Sequence, residues 1–263
     1  MEQQRFVRKN LNLVEAQQRQ EKKRLRRKIF YVFLFIIISA VFIGVCFAVF
    51  LDIKEINVNG NSKYSYEEIV KYIDAKKGDN IYSFDAKDTE ERMKQELPYI
   101  GKIEIKRKLP STVEINIVEE MPYYITEIGG KQYILSTDLK VLEQQNNPDA
   151  ESGKLAKLDV GNVRKCMVGS DIEFADPRTF DALNELYSCF ENEVIEGKIK
   201  GVKAKTRFDI YINYDDRFKV YVGDMENADI KIKFLVSILD RLGKTAKGTI
   251  DVSEGNEAAV ALS

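Results

Sequence analysis

Few side chains in this sequence could carry chemistry, and their spacing is poor for it. The 263 residues include no His, which removes Ser-His-Asp and Cys-His nucleophilic sites and imidazole zinc ligands. Three Cys are too few for a four-thiolate zinc site, and Cys46 lies in an apolar run. Cys166 and Cys189 could pair in an oxidising compartment or stay as two buried thiols. Carboxylate pairs occur at Glu119-Glu120 and Asp215-Asp216. Neighbours on a strand point to opposite faces, so Glu119 and Glu120 do not readily share one site. Asp215-Asp216 suits a turn between strands. Gly129-Gly130 lacks phosphate-loop spacing. The Tyr-rich stretch from Tyr211 to Tyr221 reads as sheet packing before it reads as a sugar platform. The expectation is a protein that binds rather than catalyses, with no cofactor, metal or small-molecule substrate.

The elements that would position a binding surface begin with a membrane segment. Formal net charge is -1, yet residues 1–28 carry ten Lys/Arg against three Asp/Glu, and residues 29–51 carry no charge. Those 23 uncharged residues would make a helix about 34 Å long, enough for a bilayer core of about 30 Å with some tilt. Lys22, Lys23, Arg24, Arg26, Arg27 and Lys28 precede the span, while Asp52 and Glu55 follow it. The positive-inside rule therefore places 1–28 in the cytoplasm and 52–263 outside. An uncleaved single-pass anchor is expected, because the run exceeds the apolar core of a signal peptide. Residues 52–263 have a net charge of -8, which argues against nucleic acid as a partner there.

Outside the membrane, Ile53, Ile56 and Val58 form a short strand, and Asn59-Gly60-Asn61 a turn. Ser65 and Glu68 make a capping box, followed by Ile69, Val70 and Ile73 on one helical face. Asp88 to Glu91 starts a second helix through Met93 and Leu97, stopped by Pro98. Ile103 and Ile105, then Val113, Ile115 and Ile117, alternate with polar residues as strands either side of Leu109-Pro110-Ser111.

Arg107-Lys108-Leu109-Pro110-Ser111-Thr112-Val113-Glu114-Ile115-Asn116-Ile117-Val118-Glu119-Glu120-Met121-Pro122 carries a resemblance, as does Val58-Asn59-Gly60-Asn61 leading into Tyr64 and Ile69. This β-α-α-β-β order after an anchor resembles a POTRA domain, and more specifically the FtsQ/DivIB family of bacterial cell-division proteins. The pattern basic-x-x-Pro-x-x-apolar-x-Ile-x-apolar-x-Glu-x-x-Pro is the specific part.

Pro122 is the expected boundary to a second outer domain. Strands are expected at Tyr133–Leu135, Val141–Leu142 and 155–160, with a polar loop over 143–153. Asp176-Pro177 reads as a helix start, with Phe180, Leu183, Tyr187 and Phe190 at helical spacing. Alternating strands at 208–214 and 218–223 flank Asp215-Asp216-Arg217, a hairpin signal. Ile232, Leu235, Leu239 and Leu242 give a helix ended by Gly243, and Thr249–Ser253 is expected as the last strand.

The fold class is therefore α+β: a single transmembrane helix, a POTRA-like β-α-α-β-β domain and a strand-rich β-domain with two helices. The expected divisions are 1–28, 29–51, 52–122 and 123–263. The resemblance implies a non-enzymatic scaffold of the division septum whose β-domain binds two small single-pass partners, FtsB/DivIC-like and FtsL-like. By matching position it points to Thr249, Ile250, Asp251, Val252, Ser253, Ala258, Ala259 and Val260 as partner-binding residues. A terminal strand with unpaired backbone groups could accept a partner's strand, with Asp251 and Ser253 supplying register. The resemblance also points to Ile105 and Arg107 of the POTRA segment for recruitment. Two other classes compete: an anchored extracytoplasmic sensor or ligand-binding protein, and a wall hydrolase using a carboxylate pair. The short stretch 1–28 offers no output module for a sensor.

Overall fold

The computed structural model describes residues 24–45, 50–145 and 153–263; most of the basic tail, Cys46 and the centre of the 143–153 segment lie outside the described residues. Two compact units divide the chain. One runs up to Ile56 and adds Ala75–Ser83 and Arg107–Val113; the other holds Asn57–Asp74, Phe84–Lys106 and Glu114–Ser263.

In the first unit, α1 (Arg24–Val45) is the one helix among the described residues long and apolar enough to cross a membrane. It includes Arg24, Arg26, Arg27 and Lys28 ahead of the uncharged stretch, because Lys and Arg are good helix formers whose long stems tolerate an apolar margin. Its Phe, Ile and Val side chains are exposed along the whole length, the condition of a helix whose solvent is lipid. Beyond it, residues 51–54 run beside 78–81. Ile53 donates its amide to Asp79 O at 2.8 Å, and Ile81 donates to Leu51 O at 2.7 Å.

The chain passes through β1 (Glu55–Asn59) into the second unit, then α2 (Tyr66–Val70), α3 (Ala86–Glu96), β2 (Ile100–Lys108) and β3 (Thr112–Glu119), with sheet order β1-β3-β2. The Ser65–Glu68 capping box forms as expected. The helix it starts is only one turn long, and Ile73 lies in the turns that follow. α3 begins two residues before its expected start, because Asp85 accepts amides from Lys87 and Asp88 and so caps the helix. The two family-like stretches meet at one loop. Glu119 accepts the amides of Ser62 and Lys63 at 2.8 Å. Gly60 has φ +82°, and a Cβ there would sit 2.0 Å from Ile117 O, so no other residue fits.

The rest of this unit is a nine-stranded sheet. Its strands are β4 (Pro122–Ile128), β5 (Lys131–Ser136), β6 (Val141–Gln145), β7 (Ala156–Val160), β10 (Ile199–Ala204), β11 (Ile210–Tyr214), β12 (Phe218–Gly223), β13 (Gly248–Asp251) and β14 (Ala259–Leu262). The spatial order is β14-β13-β12-β11-β10-β7-β4-β5-β6. β8 (Val163–Lys165) and β9 (Glu173–Phe174) form a separate pair. Helices α4 (Arg178–Asn192) and α5 (Ala228–Arg241) bridge parallel strand pairs: β7 with β10, and β12 with β13. Both helices pack on one face, where Leu183, Leu186, Phe190, Ile232 and Leu235 meet Leu158, Val202, Ile212, Val220 and Ile250. Alternation explains the layout: Phe218, Val220 and Val222 face the helices while Lys219 and Tyr221 face away.

Several expectations change here. Residues 143–145 continue β6 rather than joining the loop, because their backbone pairs with β5. The N-cap of α4 is Pro177, one residue after Asp176, although Asp176 still accepts the Arg178 amide. β4 and β10 were not anticipated. β4 opens on Pro122, which a strand tolerates at its first position. Lys200 and Lys203 dilute the apolar signal of β10.

Candidate partner-binding edge

Thr249–Ser253 is not the last strand. β13 ends at Asp251 and lies between β12, its parallel neighbour, and β14, its antiparallel neighbour. The outermost strand is β14, which carries Ala259 and Val260 together with Ala261 and Leu262. All eight sequence-predicted residues therefore fall in one hairpin, but with unequal access. Ile250 and Val252 are buried in the core, and Ala258 packs against it. Thr249, Ala259 and Val260 are exposed. Asp251 and Ser253 do not face outward as free register groups, because Asp251 Oδ1 accepts both the Ser253 amide at 3.0 Å and its hydroxyl at 2.8 Å. That bond shapes the turn out of β13.

Register sets the faces of β14. Val260 lies opposite Ile250, and Leu262 opposite Gly248, so both share the helix-covered face; Ala259 and Ala261 lie opposite Asp251 and Thr249 on the other. On that other face a shallow groove of about 350 Å³ runs between Tyr211, Lys219, Tyr221, Thr249 and the β14 backbone. The Tyr211 and Tyr221 rings are 4.7 Å apart, and Lys219 Nζ sits 4.7 Å from the Tyr211 centroid. Desolvation, then the nearby Asp209 carboxylate, push the Tyr211 phenol above its ordinary value, so the ring stays neutral. The groove can hold side chains against aromatic surface with a cation at its rim.

Gly248 is the residue that sequence reasoning missed. Its φ is +153°, and a Cβ would lie 2.0 Å from Ala261 O, so β14 rests on a position where only glycine allows so close an approach. The alternation Ala-Val-Ala-Leu at 259–262 was the available signal, but two Ala in four residues give it little weight.

Ile105 and Arg107 both have partners within the POTRA segment. Ile105 points into the core, and its amide donates to Glu90 Oε1 at 2.6 Å. Arg107 donates Nε to Ile81 O at 2.8 Å, with its guanidinium 5.4 Å from the Tyr82 ring.

Remaining chemical candidates are taken up by structure. Asp215 and Asp216, both at positive φ, form the β11–β12 turn, and they bond Arg217 and Asn213 respectively. Glu119 closes the Gly60 loop. Cys166 and Cys189 are free thiols; burial pushes Cys166 up to about 11 and raises Cys189 as well, so neither is a ready nucleophile. Among the described residues no group of three or more Cys, Asp or Glu side chains is placed to hold a metal.

The FtsQ-type POTRA domain family matches residues 51–120, the stretch from the end of the membrane segment through β3. A Clostridium botulinum protein named cell division protein DivIB is 28% identical over 241 residues, covering 90% of this chain and 92% of that one. Residues 51–120 thus match an FtsQ-type POTRA domain, and most of the chain is similar to proteins named DivIB. Bacillus subtilis DivIB is 26% identical over 242 residues, covering 90% of this chain and 84% of the relative. Corynebacterium glutamicum FtsQ is 22% identical over 198 residues, covering 75% and 83%. The FtsQ/DivIB likeness thus extends beyond the POTRA segment into the strand-rich region that bears the β13–β14 edge.

Proposed function

We propose that this chain is a non-enzymatic, single-pass membrane scaffold of the bacterial division complex that acts by binding other bitopic division proteins. Residues 1–28 face the cytoplasm, held there by the basic flank of α1. The extracytoplasmic part comprises a POTRA domain over 52–122 and a β-domain over 123–263, both working at the septum. The partners are FtsB/DivIC-like and FtsL-like single-pass proteins, captured by strand pairing at the edge that Thr249–Ser253 and Ala258–Val260 build. The POTRA segment around Ile105 and Arg107 serves recruitment to the complex.

The observation that carries this reading is the bare end of the nine-stranded sheet. Among the described residues no strand pairs with the outer side of β14, and an uncovered edge is a template for another chain. The apolar helix α1 and the likeness to DivIB and FtsQ proteins supply the context. The test is imaging of an N-terminal fluorescent fusion, with a photo-crosslinker at Val260. A septal band and a crosslink to a small membrane protein are expected. Uniform envelope labelling by a functional fusion would overturn the division reading, and a septal band without any crosslink would overturn the edge.

A further inference from the structure

We infer that the unit holding α1 carries a lipid-contact surface of its own. The exposed tips of segments 75–83 and 107–113 rest in the headgroup layer of the leaflet from which the chain emerges, with Lys54, Lys76 and Lys77 on the phosphates of anionic phospholipid. The inference rests on the reading of α1 as a membrane span. It goes beyond the proposed scaffold role by giving the extracytoplasmic part a second, peripheral hold on the bilayer.

Position supports it first. The uncharged run ends at Leu51, and Leu51 O accepts the Ile81 amide at 2.7 Å. Ile53 accepts from the Gly78 amide and donates to Asp79 O, both at 2.8 Å, and Lys54 donates to Ser111 O at 2.8 Å. A chain advances at most about 3.6 Å per residue, so Lys54 lies within roughly 11 Å of Leu51. The headgroup region adds about 5–8 Å on each side of the hydrocarbon core. Backbone bonds therefore hold both segments to the first residues beyond the span, within reach of the headgroups. Arg107 ties the segments together, since Nε donates to Ile81 O at 2.8 Å and the guanidinium lies 5.4 Å from the Tyr82 ring. Ile53, Ala75, Ile81 and Val113 are buried, so a packed base presents the tips.

Chemistry supports it second. Tyr82 is 58% exposed and Leu109 59%. A Tyr ring suits the headgroup level, and an exposed Leu suits the boundary with the acyl chains. Stretches 52–56, 75–83 and 107–113 hold five Lys/Arg against Asp52, Glu55 and Asp79, whereas residues 52–263 as a whole have a net charge of -8. Positive charge is thus gathered in the part that the membrane run leads into. Lys54, Lys76 and Lys77 are exposed there, and Asp79 is engaged by the Lys76 amide at 2.8 Å. Cations so placed are drawn to an anionic leaflet over about one Debye length, roughly 8–10 Å.

The chain has no Trp, so Tyr82→Trp and Leu109→Trp each make a single fluorescent reporter. Each full-length variant, checked for a cooperative melt, is reconstituted in nanodiscs of phosphatidylcholine alone or with phosphatidylglycerol added. The acyl chains carry bromine, which quenches an indole only at close range. Both reporters are expected to lose at least about half of their emission in phosphatidylglycerol discs, relative to discs without bromine. Lys76→Glu with Lys77→Glu should cut that loss at least about twofold. Discs that carry the chain and show no quenching of either reporter overturn the inference. So does quenching indifferent to both phosphatidylglycerol and charge reversal. A reporter that responds to inorganic phosphate in lipid-free micelles but not to bromolipid would assign the lysines to a soluble anion, and that also overturns it. Failure of the chain to co-purify with discs overturns the span together with the inference, an outcome distinct from intact reconstitution without quenching.

Discussion

The two ends of the nine-stranded sheet are finished in opposite ways. At one end, β6 is covered. Val141 donates its amide to Ser170 O at 2.9 Å and accepts from Gly169 at 2.8 Å, so a loop takes the bonds that a tenth strand would have made. Leu139, Val141 and Leu142 are fully buried. Glu143 accepts a hydrogen bond from Tyr99 at 2.9 Å, which pins the strand from the side. At the other end, among the described residues, β14 has neither a covering strand nor a buried side chain, and it carries no Lys, Glu or Pro to discourage pairing. One chain thus spends a loop on closing one edge and leaves the other open. The difference teaches that the open edge is not a general failing of this sheet; the same sequence has the means to seal an edge and does so 120 residues earlier.

Leu139→Ala should have the largest effect, because it empties a fully buried site under the covered end. A loss of about 2–5 kcal/mol is expected, read by urea denaturation of the full chain in micelles. If Leu139→Ala cost less than Leu262→Ala, the contrast between the ends would be wrong. Next is Lys231, buried at the start of α5 behind the open end, where its ammonium donates to Asp224 O at 3.0 Å and Oδ1 at 2.9 Å. Lys231→Met is expected to cost about 1.5–3 kcal/mol through lost charge-assisted bonds, again by denaturation.

The same pair predicts a pH response. The Lys231 hydrogen bond, then the Glu226 amide, hold the Asp224 carboxyl below its ordinary value. A depressed carboxylate contributes stability that is full above its unfolded pKa of about 3.9 and is lost as pH falls through the lower folded value. Acid titration of stability should therefore show a loss below about pH 4 that shrinks in Lys231→Met. An unchanged acid limb would remove the pair from the account.

Gly248→Ala sharpens the comparison without touching the core. Hydrogen exchange should report the Val141 amide protected and the Ser263 amide weakly protected in the parent chain; the variant should lose the Ser263 protection and keep that of Val141. The smallest effect is expected from Leu262→Ala, within about 0.5 kcal/mol as for other exposed positions, measured by the same denaturation.

Local chemistry made much of this fold legible. The Ser65–Glu68 box needs only four residues to satisfy its own amides, and it forms as read. Asp215-Asp216 tolerates positive φ, and the strands either side alternate cleanly, so the β11–β12 hairpin was visible. The apolar run of α1 is long and apolar enough to cross a membrane, and its side chains are exposed along it. By contrast, β10 is hidden in sequence because a strand flanked on both sides by partners can carry Lys200, Gly201 and Lys203. Its place comes from its neighbours.

Composition excluded imidazole chemistry, and the motif from Arg107 to Pro122 carried the resemblance to FtsQ/DivIB proteins. Those are properties of residue types and short spacing, so the sequence by itself determined them. Which strand stands at the edge is a different kind of fact. Thr249–Asp251 has the stronger strand pattern, yet Ala259–Leu262 lies outside it, because hydrogen bonding between strands far apart in the chain decides order in a sheet. Whether a backbone amide is spent or open, and whether Gly248 must be glycine, depends on what the fold brings within 3 Å. Only the tertiary structure decided that.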